Sequence, residues 1–194
     1  MAKLREAQKA MTRRLLLEAG LHLFTTKGYA GTTVDEIATA AGTTRVTFYA
    51  YFPTRAELMR TLIEERLDGR FHAESDLVTV VADGTPAAIG AWMRQSFASW
   101  AEKRPILRIG RDAAAIEPDL RALVERWFGE GVRAIEDGLE RAGRFAPEVR
   151  RFRGVLAMAE LDHVARNGAD ADWQISDETM LAELIASWVR LLGA

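Results

Sequence analysis

"TTVDEIATAAGTTRVTFYAYFPTRAEL", Thr32 to Leu58, mixes residue types that seldom share one task. Threonines and two arginines, Arg45 and Arg55, alternate with Phe48, Tyr49, Tyr51 and Phe52, and Pro53 breaks the pattern. A core segment would be more apolar, and a solvated loop has no use for four aromatic rings. Thr33 with Glu36 three residues on forms a capping box. It opens a helix in which Val34, Ile37, Ala38 and Ala41 recur at i, i+3, i+4 and i+7, until Gly42 stops it. Thr44 is placed to cap a second helix running to Tyr51, and Pro53 disfavours helical geometry at Phe52. Two short helices, about 34–41 and 45–51, joined by a three-residue turn that starts at glycine have helix-turn-helix spacing.

In that motif the second helix enters the DNA major groove with its N-terminal residues facing the base edges. Here those residues are Thr43, Thr44, Arg45, Val46 and Thr47. Arg45 suits a bidentate contact to guanine, and a threonine offers a hydroxyl and a methyl. Tyr49 and Tyr51 are long enough to reach flanking phosphates, while Phe48 and Phe52 point back to hold the helix. Arg55 adds charge at the next helix start, and Thr33 at the start of the preceding helix grips the backbone on the other side. Taken singly, each residue suits an ordinary helical surface. Taken together, they favour DNA contact.

Outward from this stretch the chain reads as all-α. Leu16, Ala19, Gly20, Leu23 and Phe24 mark an amphipathic helix from about Thr12 to Lys27, stopped by Gly28. Thr54 with Glu57 caps a helix through Leu58, Leu62, Ile63 and Leu67 toward Phe71. "ESDLVTVVADGTP" looks like a junction. Thr85-Pro86 opens a helix to Lys103, where Pro105 interrupts it, and a shorter segment reaches Ala115. Further helices cover about 118–142, 147–166 and, capped by Ser176, 177–192, with "NGADAD" a loop between the last two. The expectation is about nine helices in two domains. Residues 1–53 form a helix-turn-helix DNA-binding domain, residues 54–194 a helical effector-binding and dimerisation domain, and helix 54–71 connects them.

Composition sets bounds. Of the 194 residues 48% are hydrophobic and 28% charged, an ordinary globular balance. Cysteine is absent, which excludes disulfides and thiolate metal sites. No apolar run is long enough to span a bilayer, and the N-terminus lacks a signal core, so a cytoplasmic location without membrane partners is expected. The net charge of −2 hides an asymmetry: residues 1–60 hold nine of the 26 Lys/Arg but only five of the 28 Asp/Glu. A basic first third on an acidic remainder points to a polyanion partner for the first part alone.

At this point the stretch resembles the DNA-binding signature of the TetR family of bacterial transcriptional regulators. Thr32, Thr33, Ile37, Ala38, Ala41, Gly42, Tyr49, Phe52 and Leu58 match that pattern, and "LLEAGLHLFTTKGYAGTT" resembles the family's first helix and turn. Thr44 stands for a common serine, Thr43 for a common valine, Arg55 for a usual lysine, and Val46 where a small residue is frequent. Val46 bears on which operator is read more than on whether DNA is bound.

One such unit reads only a few base pairs, so two must be paired about one DNA turn apart, roughly 34 Å. The apolar "GVLAMAEL" (154–161) and a stripe on the last helix resemble the two C-terminal helices that form a four-helix bundle between TetR-family subunits. The expected homodimer seam is Phe152, Leu156, Ala159, Leu181, Leu184, Ile185 and Trp188. The resemblance further implies a pocket for a small, largely apolar effector, for which Trp92, Gln95, Phe97, Trp100, Leu107, Arg111, Trp127, Phe128 and His163 are candidates, with Arg94 and Arg108 as further polar rim positions. It implies no cofactor. The reading is a repressor released by the effector from a palindromic double-stranded DNA operator. A TetR-like regulator acting without an effector is one alternative. The other is a metal-dependent helical-bundle enzyme built around Glu160 and His163; their Glu-x-x-His spacing is the unit of di-iron carboxylate sites, but no second such pair exists. No phosphate-binding loop, dinucleotide fingerprint or nucleophile elbow is present.

Overall fold

The computed structural model describes residues 2–67, 74–98, 100–168 and 173–193. Ten helices lie among them, with no strand: α1 Ala2–Lys27, α2 Val34–Ala40, α3 Arg45–Tyr51, α4 Arg55–Leu67, α5 Glu74–Asp83, α6 Pro86–Ala98, α7 Trp100–Ile116, α8 Pro118–Arg141, α9 Pro147–Asn167 and α10 Asp177–Leu192. The end of the fourth helix beyond Leu67, most of the "NGADAD" loop and the side chain of Trp100 fall outside the described residues.

The chain packs as two compact units. The first comprises Met1–Leu67 with Pro105–Val124, the second Asp68–Arg104 with Glu125–Ala194. In the first unit α1 packs on α2 and α4, and α2 on α3. The helices meet through Leu16, Phe24, Ile37, Phe48, Leu58, Met59 and Ile63, all at most 1% exposed. α1 crosses α4 closely because Gly20 has no side chain: a Cβ there would lie 2.6 Å from a Leu58 methyl. α2 opens with the expected capping box, Thr33 accepting from the Glu36 amide while Glu36 accepts from the Thr33 amide. The Glu36 carboxylate also accepts a hydrogen bond from Lys27, which is the first cause of its pKa being held at about 2, below the ordinary 4.5.

In the second unit α6 packs on α5 and α10, and α10 on α9. Its core holds Met93, Ile89, Val81, Leu139, Ala157 and Trp188, each at 0% exposure. Arg144 ties the ends of two helices together. Its guanidinium donates to the carbonyls of Val81, Ala82 (2.6 Å) and Leu192, the last turns of α5 and α10. Those carbonyls have no partner within their own helices and carry the negative end of the helix dipole. Burial pushes the Arg144 pKa below its ordinary value. Gly84, at φ 69°, ends α5 in the left-handed conformation, and any Cβ there would strike this guanidinium.

Three sequence expectations need correction. α1 begins at Ala2 rather than near Thr12. Residues 3–11 are exposed throughout, so strong helix formers such as Ala7, Gln8 and Ala10 extend the helix without an apolar face to announce it. The supposed junction is helix α5; its β-branched run hides the pair Leu77 and Val81, one turn apart and both buried. Pro105 does not break the chain but lies inside α7. Pro105 is the sixth residue of α7, just past its first free amides, and its missing N–H removes one intrahelical bond, that to the Ala101 carbonyl.

Two outcomes follow. Arg144→Ala strands three helix-terminal carbonyls and is expected to lower unfolding stability by ~2–3 kcal/mol in denaturant titration, with Arg144→Lys recovering only part; a loss under ~0.5 kcal/mol contradicts the tie. Because the folded pKa of Glu36 is depressed, its contribution is complete above 4.5 and disappears as pH falls toward about 2. The melting-temperature difference between wild type and Glu36→Gln should therefore be constant well above pH 4.5 and shrink steadily below it; a gap independent of pH contradicts it.

Candidate nucleic-acid interface

The turn 41–44 sets the angle between α2 and α3. Gly42, at φ 68°, occupies the left-handed region that closes α2, and the Thr43 amide returns to the Ala38 carbonyl at 2.9 Å. Thr44 is the N-cap of α3: its hydroxyl accepts from the Thr47 amide at 3.2 Å and lies 3.0 Å from the Thr47 hydroxyl. α3 has seven residues, too few to persist alone in water, so packing holds it. Phe48 and Phe52, one turn apart, are 0% and 2% exposed, their rings 5.9 Å apart. With that face turned inward, the opposite face must point out. Val46 is 81% exposed and Tyr49 44%.

Arg45, exposed at the start of α3, lies over Tyr49, its guanidinium 5.6 Å from the ring centre and within 3.4 Å of the Tyr49 hydroxyl. It also pairs with Asp35 of α2 at 2.9 Å, the first cause of its raised pKa. Both side chains are more than half exposed, and an ion pair so open to water is weak. Arg45 is thus oriented rather than locked. Thr43, Thr44, Arg45, Val46, Thr47 and Tyr49 gather at or near the start of α3, and Tyr51 is half-buried at its end. The hydroxyl of Thr33 is exposed but already donates to Glu36 at 2.9 Å.

Arg55 departs from expectation. Its guanidinium is turned inward, donating to the carbonyls of Tyr29 (3.0 Å) and Thr32, stacked 4.0 Å over the Tyr29 ring and 3.8 Å from Glu117. Tyr29 in turn donates its hydroxyl to Glu117 at 2.9 Å, and burial pushes its pKa up to about 12. Arg55 therefore holds the 29–32 turn that leads into α2, and its charge is spent on carbonyls rather than offered outward. Sequence reading missed Glu117 because it lies 88 positions from Tyr29; no local pattern carries that separation.

The expected dimer seam divides. Leu184 and Trp188 are 6% and 0% exposed and belong to the core of their own unit, Trp188 stacking on Trp92 of α6 with ring centres 5.4 Å apart. A stripe that wide on α10 serves its own chain because α6 packs on it. Leu181 and Ile185 are half-buried, Ala159 is exposed, and Phe152 and Leu156 are 62% and 39% exposed. Of the effector candidates, Leu107 and Arg111 lie in the first unit, where Leu107 is buried. Trp92, Gln95, Phe97, Trp127, Phe128 and His163 lie in the second; Gln95 is exposed, and His163 lines a cleft of about 530 Å³ between α9 and α10.

Comparison with known proteins agrees with this geometry. The family model described as bacterial regulatory proteins, tetR family, matches residues 16–62, which span the second part of α1, all of α2 and α3, and most of α4. HTH-type transcriptional regulator EthR of Mycolicibacterium smegmatis is 29% identical over 184 residues, covering 90% of this chain and 83% of that protein. HTH-type transcriptional repressor LfrR of the same organism is 30% identical over 139 residues, 71% of this chain and 68% of that one. Among solved structures, NalD, the secondary repressor of the MexAB-OprM multidrug efflux pump in Pseudomonas aeruginosa, superposes with a TM-score of 0.71 at 20% identity over 97% of both chains. PfmR, a TetR family transcriptional regulator from Thermus thermophilus, gives 0.68 at 20% identity over 91% of this chain and 96% of that chain. With its helix-turn-helix head and all-helical remainder, the chain belongs to the TetR family and is a DNA-binding transcriptional regulator.

Proposed function

We propose that the protein is a homodimeric repressor that grips a palindromic DNA operator through α3 and lets go when a small, largely apolar molecule binds its second unit. The observation that carries the DNA half is the orientation of α3: Phe48 and Phe52 buried, Val46 and Tyr49 exposed, and Arg45 held by an exposed carboxylate, Asp35, and by Tyr49. A guanidinium so placed suits the O6/N7 edge of guanine, worth ~1–3 kcal/mol of discrimination. The threonine hydroxyls and Tyr49 suit flanking acceptors. Arg55 takes no part in the contact; it supports the turn that aims α2.

The dimer half rests on α9. Val149, Phe152, Leu156 and Ala159 recur at helical spacing and are exposed, Phe152 at 62%. A contiguous apolar stripe of this kind is costly to leave in water and is the natural seam for a second copy. The names of LfrR and NalD as repressors support the sign of regulation. The effector half is supported by the second unit's aromatic content and by the need for a ligand that binds one head spacing better than the other. The protein works, on this reading, by binding rather than catalysis, in the cytoplasm; among the described residues no helix is long and apolar enough to cross a membrane. Glu160, the centre of the enzyme alternative, is engaged by Ser187 at 3.0 Å, and among the described residues no group of three or more His, Asp or Glu could hold a metal.

DNA duplexes selected by the protein from a randomised pool provide the test. Arg45→Ala should weaken binding to the selected duplex by ~1–3 kcal/mol and bind unselected duplex nearly as before; equal losses on both would remove the base-reading role. Sedimentation should show a dimer at micromolar concentration, and Phe152→Glu should yield monomers that remain folded. A monomeric wild type contradicts the seam.

A further inference from the structure

We infer that Asp35 is a specificity-determining residue of the DNA-reading surface and that it acts through Arg45, whose guanidinium it holds in a pose that suits a guanine edge. The inference deepens the base-reading role proposed for Arg45 and rests on it.

An acidic residue in the first turn of a helix has a local explanation, the partial positive charge of the unpaired amides there. That accounts for a carboxylate at position 35 but not for its partner. Glu36, the next residue, is used locally: it accepts from the Thr33 amide and from Lys27. Asp35 reaches across the 41–44 turn instead. Its Oδ2 accepts from Arg45 Nη1 at 2.9 Å and so ties the start of α2 to the start of α3.

Charge makes that placement informative. Residues 1–60 hold nine Lys/Arg against five Asp/Glu, the balance of a surface that meets a polyanion. A carboxylate beside α3 repels phosphate and so weakens binding to every duplex alike. Specificity, however, is a difference of affinities, and a repulsive group that weakens the wrong complex more than the right one raises it. Asp35 meets that condition if its charge is compensated when Arg45 sits on a base and exposed to phosphate when Arg45 swings away.

The geometry fits this division. Two groups grip the guanidinium, Asp35 at Nη1 and the Tyr49 hydroxyl at Nη2, 3.4 Å away, with the ring below at 5.6 Å. Each takes one hydrogen of its nitrogen, and the rest of the fork, Nε–H included, remains for the O6/N7 edge of guanine. A long side chain already held in place loses less rotamer freedom on binding. In water the pair is weak, both side chains being more than half exposed. Water leaves when DNA covers it, and the same charges then attract more strongly. Without Asp35 the guanidinium can turn to a phosphate, a contact that any sequence offers. The rival role is direct: a carboxylate can itself accept from the amino group of cytosine.

A double-variant cycle on the full-length protein separates these roles. Dissociation constants are measured on selected and unselected duplexes for wild type, Asp35→Ala, Asp35→Asn, Arg45→Ala and Asp35→Ala with Arg45→Ala; the readout is the unselected-to-selected ratio. Asp35→Ala should bind unselected duplex about twofold tighter and lower the ratio about fivefold. Asp35→Asn, which keeps an acceptor for Nη1, should retain part of the ratio. In the Arg45→Ala background, loss of Asp35 should change the ratio by less than about twofold. A wild-type ratio in Asp35→Ala overturns the assignment. So does an undiminished fivefold fall in the Arg45→Ala background, which would show the carboxylate reading a base by itself. The two readings fail differently. An Arg45→Ala ratio equal to wild type removes base reading by Arg45 and this inference with it, whereas a ratio that collapses in Arg45→Ala but holds in Asp35→Ala removes Asp35 alone.

Discussion

Everything the head does depends on the burial of Phe48. α3 is seven residues long and would not persist as a free peptide. Removing the Phe48 side chain wholly from water supplies ~1.5–3 kcal/mol, and Phe52 and the 5.5 Å edge contact with Tyr49 add to it. A helix has one phase: once Phe48 and Phe52 face the core, Val46 must face out, while Arg45 and Tyr49 flank the buried edge and reach solvent with their polar ends. The aromatic residues that looked out of place beside threonines and arginines are what turn those polar residues into a probe. Gly42 and Thr44 fix the approach angle, and Arg55 holds the preceding turn from behind.

That division of labour explains how legible the chain was. Capping boxes, glycine stops and the apolar spacing around Ile37 and Leu58 are local codes, and the helices they announce lie within a few residues of where the sequence placed them. The inward turn of Arg55 was not legible, because an arginine at a helix start is ambiguous. Whether it turns to a phosphate or to nearby carbonyls is decided by the Tyr29 turn and by Glu117, which only the folded chain brings near. α5 was missed because valine and threonine argue for strand, and the packing of Leu77 and Val81 overrides that preference.

The C-terminal part shows a different limit. An apolar stripe on a helix states that the face is covered, not what covers it. Leu184 and Trp188 are covered by their own chain, as the stacking of Trp188 on Trp92 shows, whereas Phe152 and Leu156 are left open. The polar features of the α9–α10 cleft were visible in sequence only as a Glu-x-x-His spacing. Their partners, Ser187 for Glu160 and Trp173 for His163, lie one a helix away and the other in the segment between. The same unit thus carries an exposed apolar stripe and a half-satisfied carboxylate side by side.

The central claim is that the start of α3 is the surface that meets DNA. The chain has no native cysteine, so Val46→Cys carries a unique thiol at its most exposed apolar position. Labelled there with a photoactivatable aryl azide and bound to its selected duplex, the protein should cross-link to bases within the site, while the same label at Phe152→Cys should leave the DNA unmarked. Cross-linking from Val46 no stronger than from Phe152 would contradict the account.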